Sequence, residues 1–535
     1  MKHDLIIRNG TIYDGLGGDP FEGDIAISGG QIQEIGPSIS DSGQEEIDAH
    51  GLAVSPGFIN MLSWACEALI IDGRSQSDIR QGVTLEVMGE GYSYGPFTDE
   101  MAAAHLERRG NKGRYEVTWR TLRQYLDFLV NKGVSCNVAS FVGSGTLRVH
   151  AIGYDDREPS ADELNLMRDL VRQSMAEGAV GLSAALVYPP ASFAKTEELI
   201  ALCQVVSEFD GLYISHLRSE GDAFLEGIDE LFDICRAADV RGQIYHLKAA
   251  GKDNWHKMDA AIAKVEAARA AGREITADMY LYPAGGTGLR SITPGWAQDG
   301  GVGRLIERLK DPETRAKIKA EMHQPSTEWE NFWRMAGDPA RIQISHTQKP
   351  ELRHLIGQTI AEIAAERGTA PDETALDLLV EDGGLTSAVY FMMTEENIEK
   401  QVALPWLSFD SDASSQAPEG VFLESSTHPR AYGNFARLLG RYVRDKQIIP
   451  LEEAVRKLTS FPAQTLRIKD RGRLAPGYWA DVAIFDPATI QDHATFAEPQ
   501  QFSTGVRDVI VNGVPVLRDG EHTNAMPGRV VVPNA

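Results

Sequence analysis

The sequence predicts an α/β protein whose central piece is a (β/α)8 barrel, and three observations carry that expectation. Strands alternate with long helical patterns through the middle of the chain, and eight candidates can be read: "AVSPGFINML", "GVTLEVMGE", "CNVASFVGSG", "AVGLSAALVY", "GLYISHL", "GQIYHLKA", "EITADMYLYP" and "PWLSFDSDA". Several are rich in Val and Ile and apolar on both faces, as a parallel sheet covered by helices requires. Intervening stretches such as "SADELNLMRDLVRQSMAEG" and "KMDAAIAKVEAARAAG" carry helical periodicity with a glycine near the stop. Eight alternating units suggest a barrel. A doubly wound sheet is the fold alternative; the absence of a Gly-rich dinucleotide loop after the first strand argues against its usual function, not against the fold.

The ends of the chain have a different texture. Residues 1 to about 55 read as short strands, "DLIIRNGTIYD", "GDIAISGGQIQEIG" and "EEIDAHGLAV", with "RNG" and "SGG" as hairpin signals. The C-terminus repeats this pattern in "ADVAIFDP" and "VRDVIVNGVPVLRDG", so residues 1–55 and 471–535 are expected to pair into one small β domain around a barrel at 56–470. The gap between the seventh and eighth strands is too long for one helix, and residues 285–345 are expected to form an inserted lid over the mouth.

A chain of 535 residues exceeds the roughly 250–300 at which single cores stop growing, which agrees with one large and one smaller unit. Its 42% hydrophobic and 24% charged residues are those of an ordinary globular protein. A formal charge of -25 with no basic stripe argues against nucleic acid or an anionic membrane as partner, leaving small molecules and a second copy of the chain. Cys66, Cys136, Cys203 and Cys235 have no CxxC spacing, and "MKHDLIIRNG" has no apolar signal region, so a reduced cytoplasmic protein is expected. No apolar run approaches the length of a membrane span.

Polar residues at the C-terminal ends of barrel strands are the functional candidates. The fifth strand ends in "YISHLRSEGD" and the sixth in "IYHLKAAGKDNW", which places His216 and His246 30 residues apart, about one βα unit. Neighbouring strands would bring both imidazoles to one rim, as a metal site needs, against the alternative of two satisfied core histidines. Asp412, in "FDSDASS", could reach a metal-bound water or could cap a following helix. A third ligand is required by the usual catalytic zinc geometry. In "TLEVMGEGYSYGP" the residues Glu86, Met88 and Glu90 alternate onto one face, and Glu90, nearest the strand end, is the candidate; the alternative is a turn carboxylate between two glycines.

These motifs, with "PGFIN", "GSGTLR", "GAVGLS", "DMYLYPAGGTGL", "HPRAYGNFARLLGRYVRD" and "DRGRLAPGYWADVAIFDP", resemble the amidohydrolase superfamily over nearly the whole chain, and within it the N-acyl-D-amino-acid deacylase family. The resemblance implies a distorted barrel with a β-sandwich built from both termini. It implies that His216 and His246 ligate a tightly held zinc, that Asp412 is catalytic, and that Arg430 and Tyr282, with Lys248 beside them, bind the carboxylate of an acyl amino acid. A guanidinium fork suits that task.

The departures from the family pattern are informative. The family's first-strand His-x-His pair is Leu62 and Trp64 here; Leu has no donor atom and Trp only an N–H, so a two-metal centre built on that pair is excluded. The family's bridging cysteine is absent from "GEGYSYGP", where Glu90 can replace it chemically. His150 and His428 are the rim alternatives to Glu90. Trp64 could stack on a flat substrate or fill the vacated pocket. The expected activity is hydrolysis of a C–N amide bond of an N-acyl-D-amino acid or related compound with one zinc ion; the rivals are another amide, a cyclic amide or a carbamate, or an inactive binding homologue.

Overall fold

The structure is a computed structural model that describes residues 2–108 and 115–533. Both ends of the chain enter one nine-stranded sheet. Its N-terminal strands are β1 (Lys2–Ile12), β2 (Phe21–Ser28), β3 (Gln31–Gly36), β4 (Ser42–Asp48) and β5 (Ala53–Pro56). "SGG" is the β2–β3 hairpin, but "RNG" is no turn: it lies inside β1, where Asn9 at φ 58° marks a register shift against β2 between Ile7 and Gly10. A bulge uses the same left-handed residue as a tight turn, so the short motif reads alike in both.

Phe58–Ser63 (β6) begins the barrel, so the first expected strand is divided at Gly57: its first half pairs with β1 and its second with the barrel. Val83–Met88 (β7) and Asn137–Ser140 (β8) follow in parallel. Val142–Gly143 (β9), Gly181–Ala185 (β10), Leu212–His216 (β11), Arg241–Ile244 (β12) and Ile275–Ala277 (β13) form a second parallel run. Only Phe141 separates β8 from β9, and Val180 N–H donates to Ser140 O. The eighth expected strand is irregular, yet parallel bridges from Leu407 to Ala277 and from Ala413 to Ser63 join it to the seventh and the first. The ring is thereby completed as a distorted (β/α)8 barrel. Ile59, Met61, Leu85, Val87, Phe141, Leu212, Ile214 and Tyr245 fill its interior, each contributing about 1.5–3 kcal/mol by leaving water.

The excursion expected at 285–345 extends further. Gly285–Gly288 (β14), Ile342–His346 (β15) and Ser387–Tyr390 (β16) make an antiparallel sheet in the order β14-β16-β15. Helices at Val302–Lys310, Pro312–Met322 and Phe332–Ala336 lie between β14 and β15. The chain then returns to the terminal sheet through Val482–Phe485 (β17), Val506–Val511 (β18), Val514–Arg518 (β19) and Glu521–His522 (β20). Asn512–Gly513 forms the β18–β19 turn, and β17 pairs with β5, which stitches the two ends together. Among the described residues no helix is long and apolar enough to cross a membrane, and no disulfide joins the four buried cysteines.

Candidate metal centre and active site

Glu90 reaches the mouth by a route that simple strand alternation does not give. On β7, Leu85 and Val87 face the barrel interior, whereas Glu86 accepts from Asn60 Nδ2 at 3.0 Å and from Ser75 Oγ at 3.0 Å on the other side. Glu90 therefore does not continue the Glu86–Met88 face. Gly89, at φ 102°, ends the alternation and swings the next side chain over the mouth. A Cβ on Gly89 would lie 2.5 Å from Phe141 O, and one on Gly91, at φ 60°, 2.5 Å from the Ala185 Cβ. Only glycine fits either place, so the two glycines around Glu90 are what aims it.

His216 ends β11 in step with Leu212 and Ile214. His246 lies two residues beyond β12 at φ 33°, with its backbone N–H held by Asp278 Oδ1 at 2.5 Å. His216 Nδ1 and His246 Nε2 stand 2.9 Å apart, and Glu90 Oε1 is 3.3 Å from the first and 3.0 Å from the second. All three residues are buried, and their donor atoms can hold one ion. A tetrahedral zinc with bonds of about 2.0–2.1 Å has ligand–ligand edges of about 3.3 Å, so the donor set fits such an ion.

The electrostatics point the same way. Burial alone would raise the Glu90 carboxyl, yet hydrogen bonding from His216 and His246 holds it well below the usual range. Burial and Lys248 act to lower His246, but Glu220 and Glu90 outweigh them and lift it to about 10. The pull of these two carboxylates on a proton is the pull a divalent cation would feel. Glu220 is the functional residue that sequence reasoning missed. Its Oε1 lies 3.0 Å from His246 Nδ1, where it can orient that ring, and its Oε2 lies 3.7 Å from His216 Nε2, close enough for its charge to act but too far for a hydrogen bond. Its position four residues after His216, in "SHLRSEGD", was the available signal.

Across the mouth stands Asp412, at φ 42°, with its N–H donating to Leu62 O at 3.0 Å. No helix begins there, so the capping alternative fails. Its Oδ2 pairs with Arg430 Nη1 at 2.7 Å, and its Oδ1 accepts from Trp64 Nε1 at 3.1 Å. The same indole N–H lies 3.0 Å from Glu90 Oε2. Burial raises the Asp412 carboxyl, Arg430 opposes this, and Glu90 adds to the rise. Arg430 opens the helix Arg430–Arg437 and lies 4.2 Å over the Tyr280 ring. His428 places it: Nδ1 accepts the Arg430 N–H at 3.1 Å and Nε2 donates to Ala284 O at 2.9 Å. Burial and Arg430 push His428 well below its ordinary value. With both nitrogens engaged, His428 is no ligand, and His150 sits away from the mouth near Pro96 O.

Two substrate-site expectations need correcting. Tyr282 is turned away, its hydroxyl donating to Asp492 Oδ2 at 3.1 Å, and Tyr280 takes its place in the cavity wall. Lys248 borders the cavity, but its Nζ is 2.6 Å from both Glu220 Oε1 and His246 Nδ1, so its charge serves the base of the metal site. The cavity holds about 440 Å³ and is roofed by Phe332, His346, Val389 and Met392 from the inserted segment.

Two imidazoles and a carboxylate converging at the strand ends of a barrel, with an aspartate across the mouth, define a metal-dependent hydrolase. The chain belongs to the amidohydrolase family, whose model matches residues 136–517, and thus acts on carbon–nitrogen bonds other than peptide bonds. It is 32% identical to the D-aminoacylase of Alcaligenes xylosoxydans xylosoxydans, over 99% of this chain and 98% of that protein. A D-aminoacylase crystal structure matches 99% of the chain with a TM-score of 0.82 at 31% identity. N-acyl-D-glutamate deacylase from Bordetella bronchiseptica, solved with zinc and a phosphonate mimic of the tetrahedral intermediate, matches 99% of this chain and 100% of its own at 29% identity and a TM-score of 0.82.

Proposed function

We propose that this chain removes the acyl group from N-acyl-D-amino acids with a single zinc ion held by Glu90, His216 and His246. The observation that carries the reading is the convergence of those three donors opposite Asp412. Zinc bound there supplies a polarised scissile carbonyl and a water whose pKa is lowered toward neutrality. Asp412 accepts the proton of the attacking water and delivers it to the departing nitrogen, so the amine leaves neutral. The ion pair with Arg430 opposes the effect of burial and so favours the basic form of Asp412. Arg430 also has a buried Nε–H with no hydrogen-bond partner among the described residues, a donor left for the substrate carboxylate. The names of the relatives, D-aminoacylase and N-acyl-D-glutamate and N-acyl-D-aspartate deacylases, support the D-amino-acid class.

The zinc-loaded protein is to be assayed with matched N-acetyl-D- and N-acetyl-L-amino acids and with a cyclic amide. A preference for the D series of about 100-fold or more is expected, since one wrongly directed polar contact costs several kcal/mol. Hydrolysis confined to the L series or the cyclic amide overturns the substrate assignment.

A further inference from the structure

We infer that Trp64 is a positioning residue: its indole N–H joins Glu90 to Asp412, balances the two carboxylates as a cation otherwise would, and so closes the site to a second cation. The inference rests on the one-metal reading above. A single donor atom, Trp64 Nε1, lies 3.0 Å from Glu90 Oε2 and 3.1 Å from Asp412 Oδ1. These oxygens belong to carboxylates from the second and eighth strands, on either side of the first. Two carboxylates drawn together in a partly dry mouth repel unless something positive lies between them. A cation would serve, and so does a shared N–H.

Tryptophan suits this place because it donates and never accepts. It cannot ligate metal, and its half-buried ring fills the volume above the apolar barrel interior. The indole is fixed by its own backbone. Trp64 N–H donates to Ala413 O at 2.9 Å, and Asp412 N–H donates to Leu62 O at 3.0 Å. One step below, Asn60 Nδ2 donates to Ser411 Oγ at 2.8 Å, and Ser411 N–H to Asn60 Oδ1 at 2.9 Å. The first and eighth strands are thus locked in register along Asn60–Trp64, and the indole and Asp412 move together. Leu62, fully buried in the barrel interior, presents no donor to the mouth.

Two consequences follow from the contacts. Glu90 Oε2 is engaged, which leaves Oε1 alone to face the histidines and makes Glu90 a one-oxygen ligand. Asp412 is held on both oxygens, Oδ1 by Trp64 and Oδ2 by Arg430, so its orientation toward the ligand set is fixed without metal.

The test compares the wild-type holoenzyme with Trp64→His and Trp64→Phe, counting bound zinc by equilibrium dialysis against rising zinc chloride. Wild type is expected to stop at one equivalent. Trp64→His, which sets an imidazole beside two carboxylates, is expected to take up a second while keeping the first. Equal zinc counts in wild type and Trp64→His overturn the inference. Trp64→Phe keeps an aromatic ring, smaller than the indole, and loses the N–H; its kcat is expected to fall about tenfold or more, the equivalent of a hydrogen bond to a charged group, with KM within about twofold. A Trp64→Phe enzyme with unchanged kcat overturns it as well. A wild type that binds one zinc but spares N-acyl-D-amino acids defeats the substrate assignment alone, since the zinc counts still decide the role of Trp64.

Discussion

The two halves of the barrel mouth solve the same electrostatic problem differently. On the side of the fifth and sixth strands, Glu90 and Glu220 surround two imidazoles, and together they lift His246 to about 10. That side offers the donors that a cation would need. On the side of the first and eighth strands, Asp412 lies between an indole N–H and a guanidinium, with Oδ1 accepting from the indole at 3.1 Å and Oδ2 ion-paired with Arg430 at 2.7 Å. That side is already balanced by the chain itself. The difference teaches that loss of a His-x-His pair need not leave a defect, because a neutral donor and an arginine can stand where a second ion would.

The sharpest way to separate the halves is to remove one function from each. Asp412→Asn should lower kcat/KM by about 10³-fold or more, within the range for a positioned acid–base group, while bound zinc stays at one equivalent. Loss of zinc in that variant would show that the halves are not independent. Glu220→Gln should act on the other half only, weakening zinc affinity about 10–100-fold as removal of an outer partner of ligating histidines does, with zinc competition against a chelator as the measurement. Gly89→Ala would force φ 102° on an L residue and set its Cβ 2.5 Å from Phe141 O. A destabilisation of about 1–3 kcal/mol in urea unfolding is expected.

The pH profile probes the balanced half directly. Burial holds the Asp412 carboxyl above its ordinary value and Arg430 opposes this. The base must be ionised to act, so kcat/KM falls as pH drops through the Asp412 pKa. Arg430→Met removes the opposing charge, raises that pKa, and should move the acid limb to higher pH; a shift to lower pH would refute the pairing. The smallest effect is expected from Tyr282→Phe, within about twofold in kcat/KM, because its hydroxyl serves Asp492 outside the cavity.

The barrel was legible because its strands are short apolar runs at regular spacing, and His216 because it ends a strand in step with Leu212 and Ile214. His246 followed from the distance of one βα unit, although its left-handed backbone carries no sequence signal. Glu90 does lie beside the two histidines, but not for the reason the alternation suggested. Alternation along β7 ends at Gly89, and a glycine inside a strand pattern marks a turn only once its φ is known. Tyr282 came from the family resemblance, and because β13 ends at Ala277 "DMYLYP" has no strand period that would have pointed to Tyr280 instead. The bonds of Trp64 were illegible since Glu90 and Asp412 lie 26 and 348 residues away. Sequence alone showed what Trp64 cannot do, and the structure adds its contacts with Glu90 and Asp412.

In the proposed site one ion is held on one side of the mouth, while Trp64 and Arg430 close the other. Crystals of the protein grown in excess zinc and measured at the zinc absorption edge test it most directly. One anomalous peak, among Glu90 Oε1, His216 Nδ1 and His246 Nε2, is the expected result. A second peak between Glu90 and Asp412, or a single peak elsewhere in the mouth, would contradict the account.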